Sequence, residues 1–126
     1  GNFPNNFLNY GYAILRAAVA RSLSGSGLLA TLGIYHRNKY NAYCLADDIM
    51  EPYRPFVDQC VYEMVEENFD VDLGKESKMR LLNILSTDAI FGDNKRPLMI
   101  GLSLTTASLA KCFAGQTKKI TYGMLP

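Results

Sequence analysis

The sequence predicts an all-α fold, a bundle of four helices, and three observations lead there. The chain has 126 residues, enough for one domain around one core and too few for two ordinary ones. It is 48% hydrophobic and 20% charged, a globular balance rather than a disordered one. Its apolar residues recur at spacings of three and four in four separate segments, and no stretch shows the alternation of a half-buried strand. A single helical domain over residues 1–126 is therefore expected.

Gly1 reads as the remnant of a cleaved tag, and Asn2–Phe3–Pro4 carries no helical pattern. The run from Phe7 to Ser22 is rich in Ala and Leu, and Leu8, Tyr12, Leu15 and Val19 share one face, so it predicts the first helix. Gly25 and Gly27 end it. Leu28–Tyr35 is too short to assign by period and is expected as a turn or extended link, and His36–Lys39 is polar and loop-like. From Ala42 to Asn68, Leu45, Ile49, Tyr53, Phe56, Cys60 and Met64 form one stripe of the helical period. Pro52 and Pro55 lie inside that segment, and each lacks an amide donor and crowds the turn before it, so a kink or break is expected near Glu51. Asp70–Gly74 reads as a turn. Lys75–Leu85 reads as the third helix, with Met79, Leu82 and Leu85 inward. Phe91–Arg96 reads as a turn, after which Pro97 suits the first position of a fourth, apolar helix over Leu98–Ala114, closed by Gly115. The tail to Pro126 has no clear period.

The net charge of +1 declares no partner, but its distribution is uneven. Residues 1–46 hold four bases and no acid, residues 47–72 hold nine carboxylates against Arg54 alone, and residues 73–126 hold eight bases against three acids. Such blocks can set carboxylates beside a basic surface, the layout that suits a cation and a polyanion meeting in one place. An acidic solvated helix face explains the same pattern. No apolar run reaches the roughly 18 residues of a membrane span, and no secretory signal is visible. Cys44, Cys60 and Cys112 are odd in number and far apart, which excludes a disulfide scaffold and a cysteine zinc site and points to free thiols in the reducing cytoplasm.

The one histidine is the most informative polar residue. Asp48 follows His36 by twelve positions and Glu51 by fifteen. The two carboxylates are three residues apart on the second helix, about 60° apart around it, and both lie off the apolar stripe. An imidazole with two carboxylates makes a plausible first shell for a divalent cation, with oxygen donors suiting magnesium or manganese and the imidazole moving the preference towards manganese or a softer metal. The plainer alternative is a loop imidazole bonded to backbone beside a solvated polar face. No HExxH, GxSxG or phosphate-cradling GxxxxGK[ST] motif is present. Tyr10, Tyr12, Tyr35 and Tyr40 lie in the basic first block and are the aromatic residues best placed to stack on bases.

The runs LNYGYAILRAAVAR (Leu8–Arg21) and GIYHRNKYNAYCLADDIMEPYRPFVD (Gly33–Asp58) resemble the CRISPR-associated adaptation integrases, the larger of the two universal proteins that insert spacers into CRISPR arrays. The form resembled is the one found beside single-effector nucleases. The likeness is close over the first half of the chain, and its mark is a histidine followed at fixed distance by the D-x-M-E-x-(Y/F)-R-P stretch. It implies the α-helical C-terminal domain of a longer protein that has a β-rich N-terminal domain. It implies a divalent metal, Mg2+ or Mn2+, held by a glutamate, a histidine and a later acid.

On that resemblance His36 takes the histidine's place, Glu51 the later acid's, and Asp48 the place of an aspartate used in other branches. Tyr35 stands where many relatives have a second histidine. The family's first glutamate precedes the NYGY helix, and residues 1–7 hold no acid. The isolated chain is accordingly expected to bind metal weakly and not to integrate DNA. The implied reaction is phosphodiester transfer, attack of a DNA 3′-hydroxyl on a backbone phosphodiester, on double-stranded DNA. The implied partners are a second copy of the intact protein and the smaller universal adaptation protein. Arg37, Lys39 and Arg54 are the bases nearest the acids and would meet phosphates, with an Arg54–Asp58 ion pair as the alternative for Arg54. The rival function is a non-catalytic helical module that binds DNA or protein within the same assembly.

Overall fold

The computed structural model describes the backbone of residues 1–28 and 39–126 and the side chains of residues 1–28 and 45–126. Helix α1 (Asn5–Gly25) is the centre of the fold and touches each of the other four α-helices among the described residues. These are α2 (Lys39–Met50), α3 (Arg54–Glu66), α4 (Lys75–Leu82) and α5 (Leu98–Phe113). The buried face of α1 is Phe7, Gly11, Leu15, Ala18, Val19 and Leu23. It begins one residue ahead of the face expected, and Leu8 and Tyr12 are only half-buried. The reason is Gly11: a Cβ there would come within 2.5 Å of Val57 Cγ1, so the missing side chain is what lets α3 approach α1. The helix closes at Ser26, whose hydroxyl donates to the Leu23 carbonyl at 2.8 Å and accepts from the Leu28 N–H at 3.1 Å, with Gly27 following at a φ of 74°.

The long second segment breaks where its prolines lie. Between α2 and α3 the chain takes a turn of 3₁₀ helix, Glu51–Tyr53. Its stripe keeps its direction across the break: Ile49, Tyr53, Phe56 and Met64 are buried, and Leu45 and Cys60 half-buried. Helix α4 is shorter than expected and passes into a second 3₁₀ turn, Asn83–Ser86. Its inward face also differs. Ser77, Leu81, Ile84 and Leu85 are buried, whereas Met79 and Leu82 are exposed. Ser77 can be buried because its hydroxyl bonds at the helix start, accepting the Gly74 N–H at 2.8 Å. Arg80 then ties α4 to α3 through Glu67 (2.7 Å) and Glu63 (3.4 Å).

The FGDNKR stretch, expected as a turn alone, is the middle of a small antiparallel hairpin. Strand β1 (Asp88–Phe91) pairs with β2 (Asn94–Pro97), Asp88 opposite Pro97 and Phe91 opposite Asn94. Gly92 has a φ of 61°, the sign that a two-residue hairpin turn needs at its first position. Pro97 precedes α5 with extended ψ instead of opening the helix. The tail returns to the hairpin. Ile90 and Met124 exchange backbone bonds at 2.8 and 2.9 Å, and the Thr121 N–H donates to Ser108 Oγ at 2.7 Å. The Phe91 ring fills the space above Gly101 and Gly123, where any Cβ would collide with it.

The result is mostly helical, as the sequence predicts, with one short hairpin added at its edge. Among the described residues no helix is long and apolar enough to cross a membrane. Cys60 and Cys112 are free thiols, and the Cys44 side chain lies outside the described residues.

Candidate metal and DNA site

The two prolines shape the site. Without their N–H groups, Pro52 and Pro55 cannot bond the carbonyls of Asp48 and Glu51 as an α-helix requires, and the chain tightens to i→i+3 bonding. The Arg54 N–H accordingly donates to the Glu51 carbonyl. Residues three apart eclipse one another in 3₁₀ geometry, so Glu51 and Arg54 stand side by side. Arg54 Nε meets Glu51 Oε2 at 2.9 Å, while the Glu51 side chain stays 68% exposed.

Tyr53 pins the same turn from below. It is fully buried, bonds Thr105 Oγ1 through its hydroxyl, and accepts the Gly123 N–H at 2.8 Å. Thr105 Oγ1 reaches on to the Gly101 carbonyl at 3.3 Å, so each polar atom in this buried line has a partner. Burial is the main cause raising the Tyr53 phenol above its usual pKa.

Around the turn, three carboxylates take different surroundings. Asp47 faces α1 and holds Arg16 by a fork, 2.8 Å to Nε and 3.3 Å to Nη2. Asp48 is exposed on the other side, toward the tail, where its charge adds to burial in raising the Tyr122 phenol. Glu51 lies between them with Arg54. Arg54 in turn packs its guanidinium over the Tyr12 ring, 4.8 Å from the centroid, and the Tyr12 hydroxyl donates to Asp58 Oδ1. Burial, then Asp58, raises the Tyr12 phenol. Asp58 is thus taken by Tyr12, and the ion pair of Arg54 runs to Glu51, not to Asp58. Asn9, Tyr12, Arg16, Met50 and Arg54 line an open groove between α1 and the α2–α3 junction.

The structure brings Asp48 and Glu51 to one exposed junction, three residues apart. His36 and Arg37 lie outside the described residues, as does the side chain of Lys39, which opens α2. Of the tyrosines singled out for stacking, Tyr12 carries Arg54, Tyr10 lies 5.9 Å from the Lys78 ammonium, Tyr35 lies outside the described residues, and so does the Tyr40 side chain. Among the described residues no three His, Cys, Asp or Glu side chains are grouped to hold one ion. Asp48 and Glu51 alone offer two exposed, hard oxygen donors, the donor type that Mg2+ and Mn2+ take. Their donor chemistry, though not yet a complete shell, is of the kind that suits such an ion. Arg16, Asp47 and Tyr122 escape the sequence reading, and Asp58 enters it only as a partner for Arg54. Asp58 alone had a signal, its place four residues after Arg54, and it suggested the wrong partner.

Comparison with known proteins meets the same residues. The family model for "CRISPR associated protein Cas1" matches residues 1–79, which include His36, Asp48 and Glu51. The chain is 50% identical over 66 residues to the CRISPR-associated endonuclease Cas1 of Neisseria meningitidis serogroup C, covering 52% of this chain and 22% of that protein. It is 34% identical over 110 residues to a CRISPR-associated endonuclease Cas1 of Pyrobaculum aerophilum, covering 85% of this chain and 36% of that protein. A Francisella tularensis subsp. novicida Cas1 endonuclease is 36% identical over 64 residues, half of this chain and 20% of that protein. The chain therefore spans about a fifth to a third of the length of these relatives. A family match running from the first residue through α1, the proline-broken turn and into α4 leaves one conclusion, that the chain belongs to the CRISPR-associated Cas1 family.

Proposed function

We propose that this chain is the helical, metal-binding domain of a DNA endonuclease and integrase that inserts short DNA into a CRISPR array. The observation that carries the proposal is the family match over residues 1–79, since it spans His36, Asp48 and Glu51 together. Supporting it are relatives named as endonucleases and two exposed carboxylates, Asp48 near the end of α2 and Glu51 on the turn that Tyr53 fixes from beneath. In the proposed site His36, Glu51 and Asp48 hold a divalent Mg2+ or Mn2+ ion. When bound, the ion would stabilise charge on the phosphate oxygens and lower the pKa of the attacking hydroxyl.

The remaining work falls to the chain's own residues. Carboxylates repel a phosphate backbone, so bases must flank them, and Arg37, Lys39 and Arg54 are the bases that sequence places there. The fixed turn keeps the Glu51 carboxylate at one height above the core and limits what must be ordered when DNA arrives. Double-stranded DNA, a second copy of the full-length protein and the smaller universal adaptation protein are the proposed partners.

The second reading, a non-catalytic protein-binding module of the same assembly, draws on α5. Met99, Ile100 and Leu104 are 51, 49 and 42% exposed on its outer side. Calorimetric titration of the full-length protein with Mn2+ separates the two. The metal reading expects one Mn2+ site that His36→Ala or Glu51→Ala weakens by on the order of tenfold or more. Equal Mn2+ binding in all three proteins would favour the second reading.

A further inference from the structure

We infer that Arg54 is a positioning residue that presets Glu51 as a one-oxygen ligand, and so biases the site toward small octahedral cations and against calcium. The inference rests on the metal site proposed above and adds a selectivity to it. Four linked observations support it. The 3₁₀ turn Glu51–Tyr53 sets Glu51 and Arg54 side by side. Arg54 Nε meets one carboxylate oxygen, Oε2, at 2.9 Å. The guanidinium is packed over the Tyr12 ring at 4.8 Å. Tyr12 is tied by its hydroxyl to Asp58 on α3.

An exposed ion pair alone would do little, since two long side chains lose entropy to hold one geometry. Here the aromatic ring and its tie to Asp58 already hold the arginine, so the carboxylate meets a guanidinium that is fixed in place. With Oε2 engaged, Oε1 is the oxygen left for a metal. Magnesium and manganese accept one oxygen per carboxylate in a near-octahedral shell, whereas calcium gains from a glutamate that offers both. A lysine could supply the charge but not a planar group that lies on the ring and donates through Nε at once.

The test is calorimetric titration of the full-length protein with Mn2+ alone and with Ca2+ alone, reading the ratio of the two dissociation constants. A nearby positive charge weakens binding of both ions alike, so the ratio isolates geometry. In Arg54→Met the preference for Mn2+ over Ca2+ should fall about three- to fivefold, the size of an exposed ion pair. Arg54→Lys should fall with it. Tyr12→Leu, which keeps Arg54 and removes its platform, should move the ratio the same way by a smaller factor, and it serves if Arg54→Met does not fold. An unchanged ratio in Arg54→Met, or a wild-type ratio in Arg54→Lys, would overturn the inference while leaving the metal site standing. Wild-type Mn2+ binding that does not depend on Glu51 would instead overturn the metal site itself.

Discussion

Tyr53 is the residue on which the exposed turn and the buried core depend together. Its ring lies among Phe56 and Tyr122, and its hydroxyl joins Thr105 on α5 to the Gly123 amide in the tail. Removing that oxygen leaves a buried N–H without its acceptor, which costs more than the bond itself contributes. Tyr53→Phe should therefore lower stability by about 1–3 kcal/mol, read as a drop in the urea midpoint at unchanged slope. A midpoint equal to wild type would mean that water or a shifted tail satisfies Gly123. Neither partner of Tyr53 was legible in the sequence. The spacing of the stripe put Tyr53 in the core, but Thr105 and Gly123 lie far along the chain, and no local pattern reports such a contact.

Among the elements, α1 shows where reading by period succeeds and where it slips. Its length, composition and glycine stop predict a helix, and the helix forms. Its buried face, however, is set by the close approach of α3 at Gly11, and a hydrophobicity pattern scores glycine as nearly neutral. Gly11→Ala would ordinarily favour a helix by about 1 kcal/mol, but the added methyl must displace Val57. We expect a net loss of about 1–2 kcal/mol, measured by thermal or urea unfolding, because overpacking outweighs propensity at this site. A stabilised Gly11→Ala protein would show that α1 and α3 can part at little cost. The hairpin escaped for a different reason: β2 is exposed along its whole length and β1 has four residues, so neither alternates long enough to be recognised. The break near Glu51 was legible because proline acts locally, through its missing donor and its ring.

On the scale of the whole molecule, the functional reading joins two kinds of information. Spacing alone places Asp48 and Glu51 on an exposed face, and the structure does expose both. The proposal that His36 joins them rests on the resemblance, and the family match covers all three positions. The surroundings of the turn, with Arg54 on Tyr12, Asp47 on Arg16 and Tyr122 beside Asp48, arise from packing of distant segments and were beyond reach of any motif. In the proposed function His36 and Glu51 carry metal-dependent chemistry while basic residues carry DNA binding. The most direct measurement is Mn2+-dependent DNA cleavage and strand transfer by the full-length protein, with DNA affinity measured in parallel at fixed salt. Glu51→Ala and His36→Ala should each lose activity by on the order of a hundredfold or more while binding DNA nearly as wild type does. Wild-type strand transfer by Glu51→Ala would contradict the proposed function.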